Sequence, residues 1–329
     1  MSNKYLKTKL ASYIGYIVQA IVNNFLPILF IALQDIYKLS YEQLARLIVI
    51  NFVTQMFTDL ITPKIVTKLN YKKTAVLAHF SAFSGLFLLG VLPNCMNDKY
   101  SAICLSLVIT AFGSGLIEVI ISPIIENLPT DNKKGNMAFL HSFYCWGQAF
   151  TIIVTTAWIF TFGFGNWLYI PLIWSIIPFI NMFVFMKVSV VEPSSETKKT
   201  KFKELFKSSR FRCFMVMMLC AGACEIAMAQ WASLFAQQAL GVSKVIGDLL
   251  GPCAFAIFMG IGRIWYGSIA EKISFRKTLI NLSAVCFILY LIVAFCKIPI
   301  IALVCCALCG FTVSISWPGL YSAGAKSFP

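Results

Sequence analysis

Two glutamates lie inside long apolar stretches, where an ionisable side chain is expensive. Glu118 is in "FGSGLIEVII" and Glu225 is in "AGACEIAMAQW". A charged side chain at the centre of a membrane costs about 2.5–3.5 kcal/mol on insertion scales, so such a group normally faces a cavity or a partner. A carboxyl group in that setting can bind and release a proton, and we predict a proton- or substrate-coupling role for both. The alternative for Glu118 is a protonated or hydrogen-bonded packing residue.

Amide and aromatic side chains near these acids suit a small polar solute. Gln230 and Gln237 recur at helical spacing among small residues, a polar stripe that would line a cavity rather than face lipid. Trp231 could stack on the C–H face of a sugar while amides bind its hydroxyl groups, although Trp is also common in interfacial packing. In the first apolar stretch, "VQAIVNNFLP", Asn24 offers an amide that cannot titrate.

The elements that position these residues are apolar helices. Of the 329 residues, 59% are hydrophobic and 12% are charged, and the mean hydropathy is +0.81. Segments of about 20 residues with few charges have the length needed to cross a hydrocarbon core of ~30 Å. The sequence therefore predicts an all-α polytopic membrane protein with about ten spans. The predicted spans are 11–34, 42–62, 74–93, 101–123, 137–162, 167–188, 211–239, 245–268, 278–296 and 299–322.

The net charge of +14 lies in short clusters between the spans. Basic loops follow the second, fourth and eighth spans, and the alternate loops carry few positive charges. By the positive-inside rule, the N-terminus and the basic loops are in the cytoplasm, and a nucleic-acid partner is not expected. The longest polar segment follows the sixth span. It divides the chain into a six-helix unit (1–190), a cytoplasmic linker (191–210) and a second unit (211–329).

A short repeat relates the two units. "IVTKLNYKKT", which begins at Ile65, returns 204 positions later as "IAEKISFRKT", which begins at Ile269. Both copies follow the second span of their unit, which indicates parallel repeats about an axis along the membrane normal. The same offset applied to the fifth and sixth spans predicts two further spans ending near residue 394. We therefore expect the second unit to hold four of six helices and the sequence to be truncated after helix 10.

The repeat places Asp59 and Arg263 at equivalent positions, six residues before each copy begins. These opposite charges would form a gating ion pair between the units, or each would pair within its own unit. His141 stands near the cytoplasmic start of the fifth span. It could relay protons, or it could be a hydrogen-bonded packing residue.

Six plus six helices with duplicated loops resemble the major facilitator superfamily, whose loop motif is Gly-x-x-x-Asp-Arg-x-Gly-Arg-Lys. The stretch from Gly267 to Arg276 is a variant with Glu271 in place of Asp, whereas Thr67 stands at the acid position of the first copy. The resemblance implies that Glu271, Lys272 and Arg276 have gating or structural roles, with Glu271 meeting a helix N-terminus. We expect Glu271→Ala to disturb gating and Thr67→Ala to change little.

Four stretches are similar to the fucose/glucose–proton symporter family. They are "GSGLIEVIISPIIENL", "LHSFYCWG", "AGACEIAMAQW" and "GFTVSISWPGLYS", in family order. This resemblance implies that Glu118 is the membrane-embedded acid of helix 4, and it adds Ser314 and Trp317 as substrate-binding candidates on helix 10. An Asp of the proton-coupled members aligns loosely with Asn24, which would leave the proton to Glu118 or Glu225. Facilitated diffusion also becomes an option.

The leading hypothesis is a secondary transporter for a small polar solute, most plausibly a monosaccharide, with proton coupling an option. It implies no cofactor, metal or enzymatic activity, a multi-pass location in the cytoplasmic membrane, lipid as its surroundings and a monomeric state. Drug or metabolite efflux is the runner-up, although after Gly147 the fifth span reads "QAFTIIV" instead of a Gly-Pro-rich antiporter motif. A non-transporting sensor or truncated remnant is the third hypothesis.

Overall fold

A computed structural model describes residues 3–129, 133–192, 202–269 and 272–327. Within these ranges the chain forms helices joined by short turns and irregular segments, and it contains no strand. The first part contains helices α1 (Asn3–Ile28), α2 (Phe30–Tyr37), α3 (Tyr41–Cys95), α4 (Lys99–Glu126), α5 (Lys133–Phe162) and α6 (Tyr169–Lys187). The second contains α7 (Phe202–Lys207), α8 (Ser209–Gln238), α9 (Lys244–Asp248), α10 (Ala254–Ile269), α11 (Phe275–Phe295), α12 (Pro299–Val313) and α13 (Ser316–Ser327).

The helices have the lengths that membrane spans require. In the described ranges eight helices are long and apolar enough to cross a membrane, or nine if the bent pair α1–α2 is one span. One of them, α3, has 55 residues, or ~80 Å at about 1.5 Å per residue, which is enough to cross a core of ~30 Å twice. The prediction of an all-α protein with about ten spans is therefore confirmed.

Local sequence determines where α3 begins and where it breaks. Ser40 caps its first turn by accepting a hydrogen bond from Gln43 N, and the Gln43 side chain accepts one from Ser40 N, which is a capping box. The break is at Asn70, whose φ of 67° and ψ of 169° are not helical. Asn is among the few residues other than Gly that tolerate positive φ, and its Oδ1 accepts a hydrogen bond from Lys73 N at 3.0 Å. This break lies inside the repeated basic segment, between the second and third predicted spans.

Two other spans are interrupted. The helices α1 and α2 meet at a bend of 47°, two residues after Pro27, which cannot donate a backbone hydrogen bond. Between α9 and α10, residues Leu249–Cys253 form a π-helical turn in which Gly251 has a ψ of −105°. Single π turns within helices occur frequently at functional sites.

Contact analysis divides the chain into two compact units, Met1–Pro193 and Ser194–Pro329. In the first unit, α3 packs on α4 and α6, and α1 packs on α5 and α4. Glycines permit close helix crossings: a Cβ at Gly113 would lie 2.6 Å from Ala78 O, and a Cβ at Gly115 would lie 2.8 Å from Thr58 Cβ. These two glycines therefore allow the helix backbones to approach closely.

Within its described residues the second unit contains four candidate spans, formed by α8, by α9 with α10, by α11, and by α12 with α13. Its core is the contact between α10 and α12. A Cβ at Gly310 would collide with the carbonyl oxygen of Phe255, and one at Gly262 would collide with Ser314 Oγ. In contrast, only 6% of the 18-residue apolar stretch of α8 is buried, and only 11% of the corresponding stretch of α11.

Candidate functional site

The carboxyl group of Glu118 lies against α1 in the first unit. Gln19 Nε2 donates a hydrogen bond to Glu118 Oε2 at 3.0 Å. Gln19 is buried, whereas Glu118 is only partly buried. Glu118 thus has a fixed amide donor on one side and some access to its surroundings on the other, an arrangement that allows exchange of a proton or of a polar ligand.

A buried amide cluster lies one helical turn from this contact. Asn23 Oδ1 accepts hydrogen bonds from Gln55 Nε2 at 2.7 Å, Asn51 Nδ2 at 3.4 Å and Ser114 Oγ at 3.5 Å. The cluster therefore joins α1, α3 and α4 through side chains that can donate to or accept from hydroxyl groups. This cluster was not predicted from the sequence, because the convergence of its residues depends on the packing of three helices.

Asn24, a predicted substrate-binding residue, points toward α5. Its Nδ2 donates to Tyr144 Oη at 3.2 Å and to Ala20 O at 2.9 Å. Its Oδ1 is buried and has no hydrogen-bond partner among the described residues. Asn24 is only 2% exposed, so contact with a solute would require access through the partly exposed Tyr144.

His141 packs near the same helices. Its ring lies edge-on to the Tyr16 ring, with 5.3 Å between the centroids. Tyr16 Oη and Ser122 Oγ share a hydrogen bond of 2.8 Å. Ser122 is one turn beyond Glu118 on α4, so Tyr16 lies between the imidazole and the helix face that carries the acid.

Asp59 lies on α3 in the same unit, and its carboxyl group interacts electrostatically with that of Glu118. Its Oδ1 is buried and receives no hydrogen bond from any residue that the structure describes. Asp59 was predicted as a gating residue that forms an ion pair with a base. The charged group that acts on it among the described residues is the Glu118 carboxyl group, which is also an acid.

In the second unit, three predicted residues come together. Arg263 Nη2 lies 3.4 Å from Glu225 Oε1, and the Arg263 and Glu225 side chains are 5% and 18% exposed. Arg263 Nε also donates to Ser314 O at 3.4 Å. The salt bridge joins α8 to α10, and the Ser314 contact extends it to the end of α12. All three were candidates from the sequence, and pairing of Arg263 within its own unit was one of two alternatives, but Glu225 was not identified as its partner.

The other predicted residues of α8 lie toward its far end. Gln230 is buried and Trp231 is half-buried. Gln237 Nε2 donates to Ser233 Oγ at 3.1 Å. On α13, Trp317 is half-buried.

Sequence analysis missed a buried ion pair next to Gln237. Asp248 is fully buried, its Oδ2 lies 2.9 Å from Lys244 Nζ, and its Oδ1 accepts a hydrogen bond from Ser233 Oγ. An acid four residues after a Lys, directly before the apolar segment "LLGPC", was the available signal.

The remaining gating candidates are in the basic loop after α10. Lys272 and Arg276 are exposed. Glu271 lies outside the described residues, so its predicted contact with a helix N-terminus stays a prediction.

Comparison with known proteins places the chain in a family. The sequence model described as Major Facilitator Superfamily matches residues 12–329. Among curated proteins, none matches the sequence.

Solved structures share the fold. The chain resembles the E. coli fucose:proton symporter with a TM-score of 0.71 at 17% identity, and the match covers 99% of this chain and 86% of that one. It resembles a D-xylose–proton symporter with a TM-score of 0.76 at 14% identity, covering 99% and 84%. A proton:xylose symporter bound to a bromodeoxyglucose gives a TM-score of 0.79 at 12% identity, covering 97% and 81%. At these identities the likeness establishes the fold.

Proposed function

This chain belongs to the major facilitator superfamily, and from that premise we propose that it carries a monosaccharide across the cytoplasmic membrane in symport with protons. Proteins of this superfamily are membrane transporters rather than enzymes. Transport would proceed by alternating access, in which the solute site opens to one side of the membrane at a time. The structural neighbours whose titles name fucose and xylose support a sugar as the solute.

One observation supports the proposal most directly, namely the polar interior of the first unit. Helices that face only lipid or one another need no buried amides, and each unpaired polar group in an apolar setting is costly. Here Glu118 is bonded to Gln19, and Asn23 gathers three donors. Amide and hydroxyl groups that can exchange partners suit a solute that carries many hydroxyl groups.

The residues have separate roles in this proposal. Glu118 carries the proton. Asn24, with the Tyr144 hydroxyl group, binds solute hydroxyl groups in the first unit. In the second unit Gln230, Trp231 and Gln237 supply amide and aromatic contacts to the solute. Ser314, at the end of α12, and Trp317, on α13, also bind the solute.

The Glu225–Arg263 salt bridge is proposed to hold α8 to α10 and to change during gating. Its two charges neutralise each other, so Glu225 contributes to substrate binding and positioning more than to proton transfer. Lys272 and Arg276 would fix the cytoplasmic loop by the positive-inside rule, with the N-terminus also in the cytoplasm.

Efflux of a drug or metabolite is less well supported. A site for apolar drugs would be lined chiefly by hydrophobic and aromatic side chains, whereas the first unit buries an amide cluster. Uptake and efflux can be distinguished in vesicles. In symport an inward proton gradient drives the solute into the vesicle, whereas in proton-driven efflux the same gradient drives it out.

The test is uptake by purified protein in proteoliposomes. Labelled fucose, xylose and glucose are supplied with an inward proton gradient and with the gradient collapsed by an ionophore. We expect at least one sugar to accumulate only with the gradient. Absence of sugar uptake, together with extrusion of a dye driven by an inward proton gradient, would replace this proposal with the efflux alternative.

A further inference from the structure

Three helices of the first unit each contribute two polar residues four positions apart, so that the six side chains form two layers. One layer is the amide cluster and the other contains the acids. The pairs are Gln19 and Asn23 on α1, Gln55 and Asp59 on α3, and Ser114 and Glu118 on α4. Residues at i and i+4 lie on one face of a helix. The hydrogen bonds within the Asn23 layer therefore imply that the second layer also converges.

The second layer contains two carboxyl groups. Glu118 accepts a hydrogen bond from Gln19 Nε2 at 3.0 Å, and Asp59 interacts electrostatically with Glu118. The backbones of α3 and α4 are in direct contact beside them, since a Cβ at Gly115 would lie 2.8 Å from Thr58 Cβ and 3.1 Å from Gln55 O. The two acids thus extend from a point of close approach between α3 and α4.

When both carboxyl groups are ionised, the layer lacks a hydrogen-bond donor for Asp59 Oδ1. This atom is buried and no described residue donates a hydrogen bond to it. An ionised carboxylate only accepts hydrogen bonds, whereas a protonated carboxyl group also donates one. Two carboxylates in one poorly solvated site repel each other, and a single shared proton removes that repulsion.

The second unit shows what happens when the equivalent position carries the opposite charge. The residue 204 positions after Asp59 is Arg263, which forms the salt bridge with Glu225 at 3.4 Å. There a fixed guanidinium balances the acid, and no proton is needed. In the first unit the same position adds a second acid.

Other titratable groups near the layer are held by separate contacts. From α1, Tyr16 bonds to Ser122 at 2.8 Å. From α5, His141 packs on the face of α1 that carries Tyr16, with 5.3 Å between the rings. The residues that define the layer are Asp59, Glu118 and Gln19.

We propose that Asp59 and Glu118 form one proton-binding site, a carboxyl pair that holds a single proton and is clamped by Gln19. The inference deepens the proton coupling proposed above and rests on it for its transport role. Gln19 donates to Glu118, so the proton lies on the side of the pair that faces Asp59. Asp59 acts as a second proton-binding group, and Gln19 is a positioning residue.

The first experiment measures protonation without transport. The carboxyl C=O stretch of the full-length protein in nanodiscs is followed by infrared difference spectroscopy as pH is varied. Wild type, Asp59→Asn and Glu118→Gln are compared with Asp35→Asn, which alters an exposed acid of the same unit. A pair predicts that each single variant shifts the titration midpoint of the remaining carboxyl group by about one pH unit or more, while Asp35→Asn leaves it in place. An unchanged midpoint in Asp59→Asn overturns the proposal.

The second experiment separates the pair from the transport proposal. In proteoliposomes, Asp59→Asn is expected to retain sugar exchange. Its gradient-driven sugar accumulation is expected to be at least tenfold lower than that of the wild type. Asp59→Glu keeps a carboxyl group and is the control for a folding defect at this position. It should retain both the paired titration and sugar accumulation. Full accumulation in folded Asp59→Asn contradicts the proposal. Absence of sugar transport in the wild type would defeat the proposed function, and the infrared titration would then decide whether the pair exists.

Discussion

Glu118 and Glu225 are both acids inside apolar helices, but their surroundings suit different tasks. Glu118 is bonded to a neutral amide and lies near another acid, whereas Glu225 faces a guanidinium group. A carboxyl group that must accept and release a proton needs a neighbour that leaves both states available. The Glu225 carboxylate is already paired with the Arg263 guanidinium in a salt bridge. The proton is therefore assigned to the first unit.

The Gln19 contact provides a test at the level of one hydrogen bond. Gln19→Leu removes the donor to Glu118 while roughly keeping the side-chain volume. A hydrogen bond to a charged group contributes about 1.5–3 kcal/mol, so we expect gradient-driven uptake to fall about tenfold or more and its pH profile to shift. Initial uptake rates across pH 5–8 measure this effect. Gln34→Leu on α2 is the control, and an identical pH profile in both variants would remove Gln19 from the mechanism.

The salt bridge of the second unit predicts a loss of stability. Arg263→Gln leaves the mostly buried Glu225 carboxylate without its cation, which should destabilise the unit by about 3 kcal/mol. Glu225→Gln with Arg263→Gln removes both charges and should restore part of that stability. Thermal unfolding in detergent measures both variants. Additive losses in the double variant would show that the two side chains are not coupled.

The sequence identified acids by their improbable location but could not identify their partners. Glu118 stands out in the sequence because it interrupts an apolar segment. The energetic cost of placing an ionisable group there can be judged from the neighbouring residues alone. Gln19 is 99 positions away, and only the packing of α1 on α4 brings it into contact. For the same reason Asp59 and Arg263 were found as a symmetric pair of charges. The electrostatic interaction of Asp59 with Glu118 and the salt bridge of Arg263 with Glu225 required the structure.

At the scale of helices, crossings depend on glycine at the points of closest approach. Gly310→Ala would drive a methyl group into the Phe255 carbonyl oxygen where α12 meets α10. Overpacking usually costs about 1–3 kcal/mol, and a backbone obstacle cannot rotate away, so we expect a lower melting temperature and a lower yield from membranes. Gly222→Ala is the matched control, because nothing lies within 4 Å of its added Cβ. Equal melting temperatures for the two variants would contradict the packing described for the second unit.

Apolar length predicted where the chain crosses the membrane, and the structure shows helices in the same places. It did not predict how the spans are joined. Residues 63–73 were assigned to a loop, yet α3 runs through them apart from Asn70, because Lys-rich sequences form helices well. The π turn at Leu249–Cys253 and the bend before α2 follow from Pro and Gly positions, which mark a break without specifying its geometry.

At the scale of the molecule, the charge pattern predicts topology. Cys95 lies at the end of α3 and is exposed, in a segment expected to face the outside. In a variant that keeps Cys95 as its only cysteine, a membrane-impermeant maleimide should label intact cells. Lys68→Cys in a cysteine-free background should react only after permeabilisation. Labelling of both sites in intact cells would contradict the proposed cytoplasmic N-terminus.

Two units with unequal charge follow from the repeat. Position 59 carries an acid and its equivalent at 263 carries a base, so the proposed proton site lies in one unit and the salt bridge between Arg263 and Glu225 lies in the other. This asymmetry predicts that acid-to-amide changes in the first unit affect coupling, while those in the second affect stability and solute affinity.

The most direct measurement is sugar accumulation in proteoliposomes by wild type and Glu118→Gln, each with and without an inward proton gradient. The account predicts that the wild type accumulates a labelled monosaccharide only when the gradient is present. It also predicts that Glu118→Gln exchanges the same sugar without accumulating it. Gradient-driven accumulation by Glu118→Gln equal to that of the wild type would contradict the account.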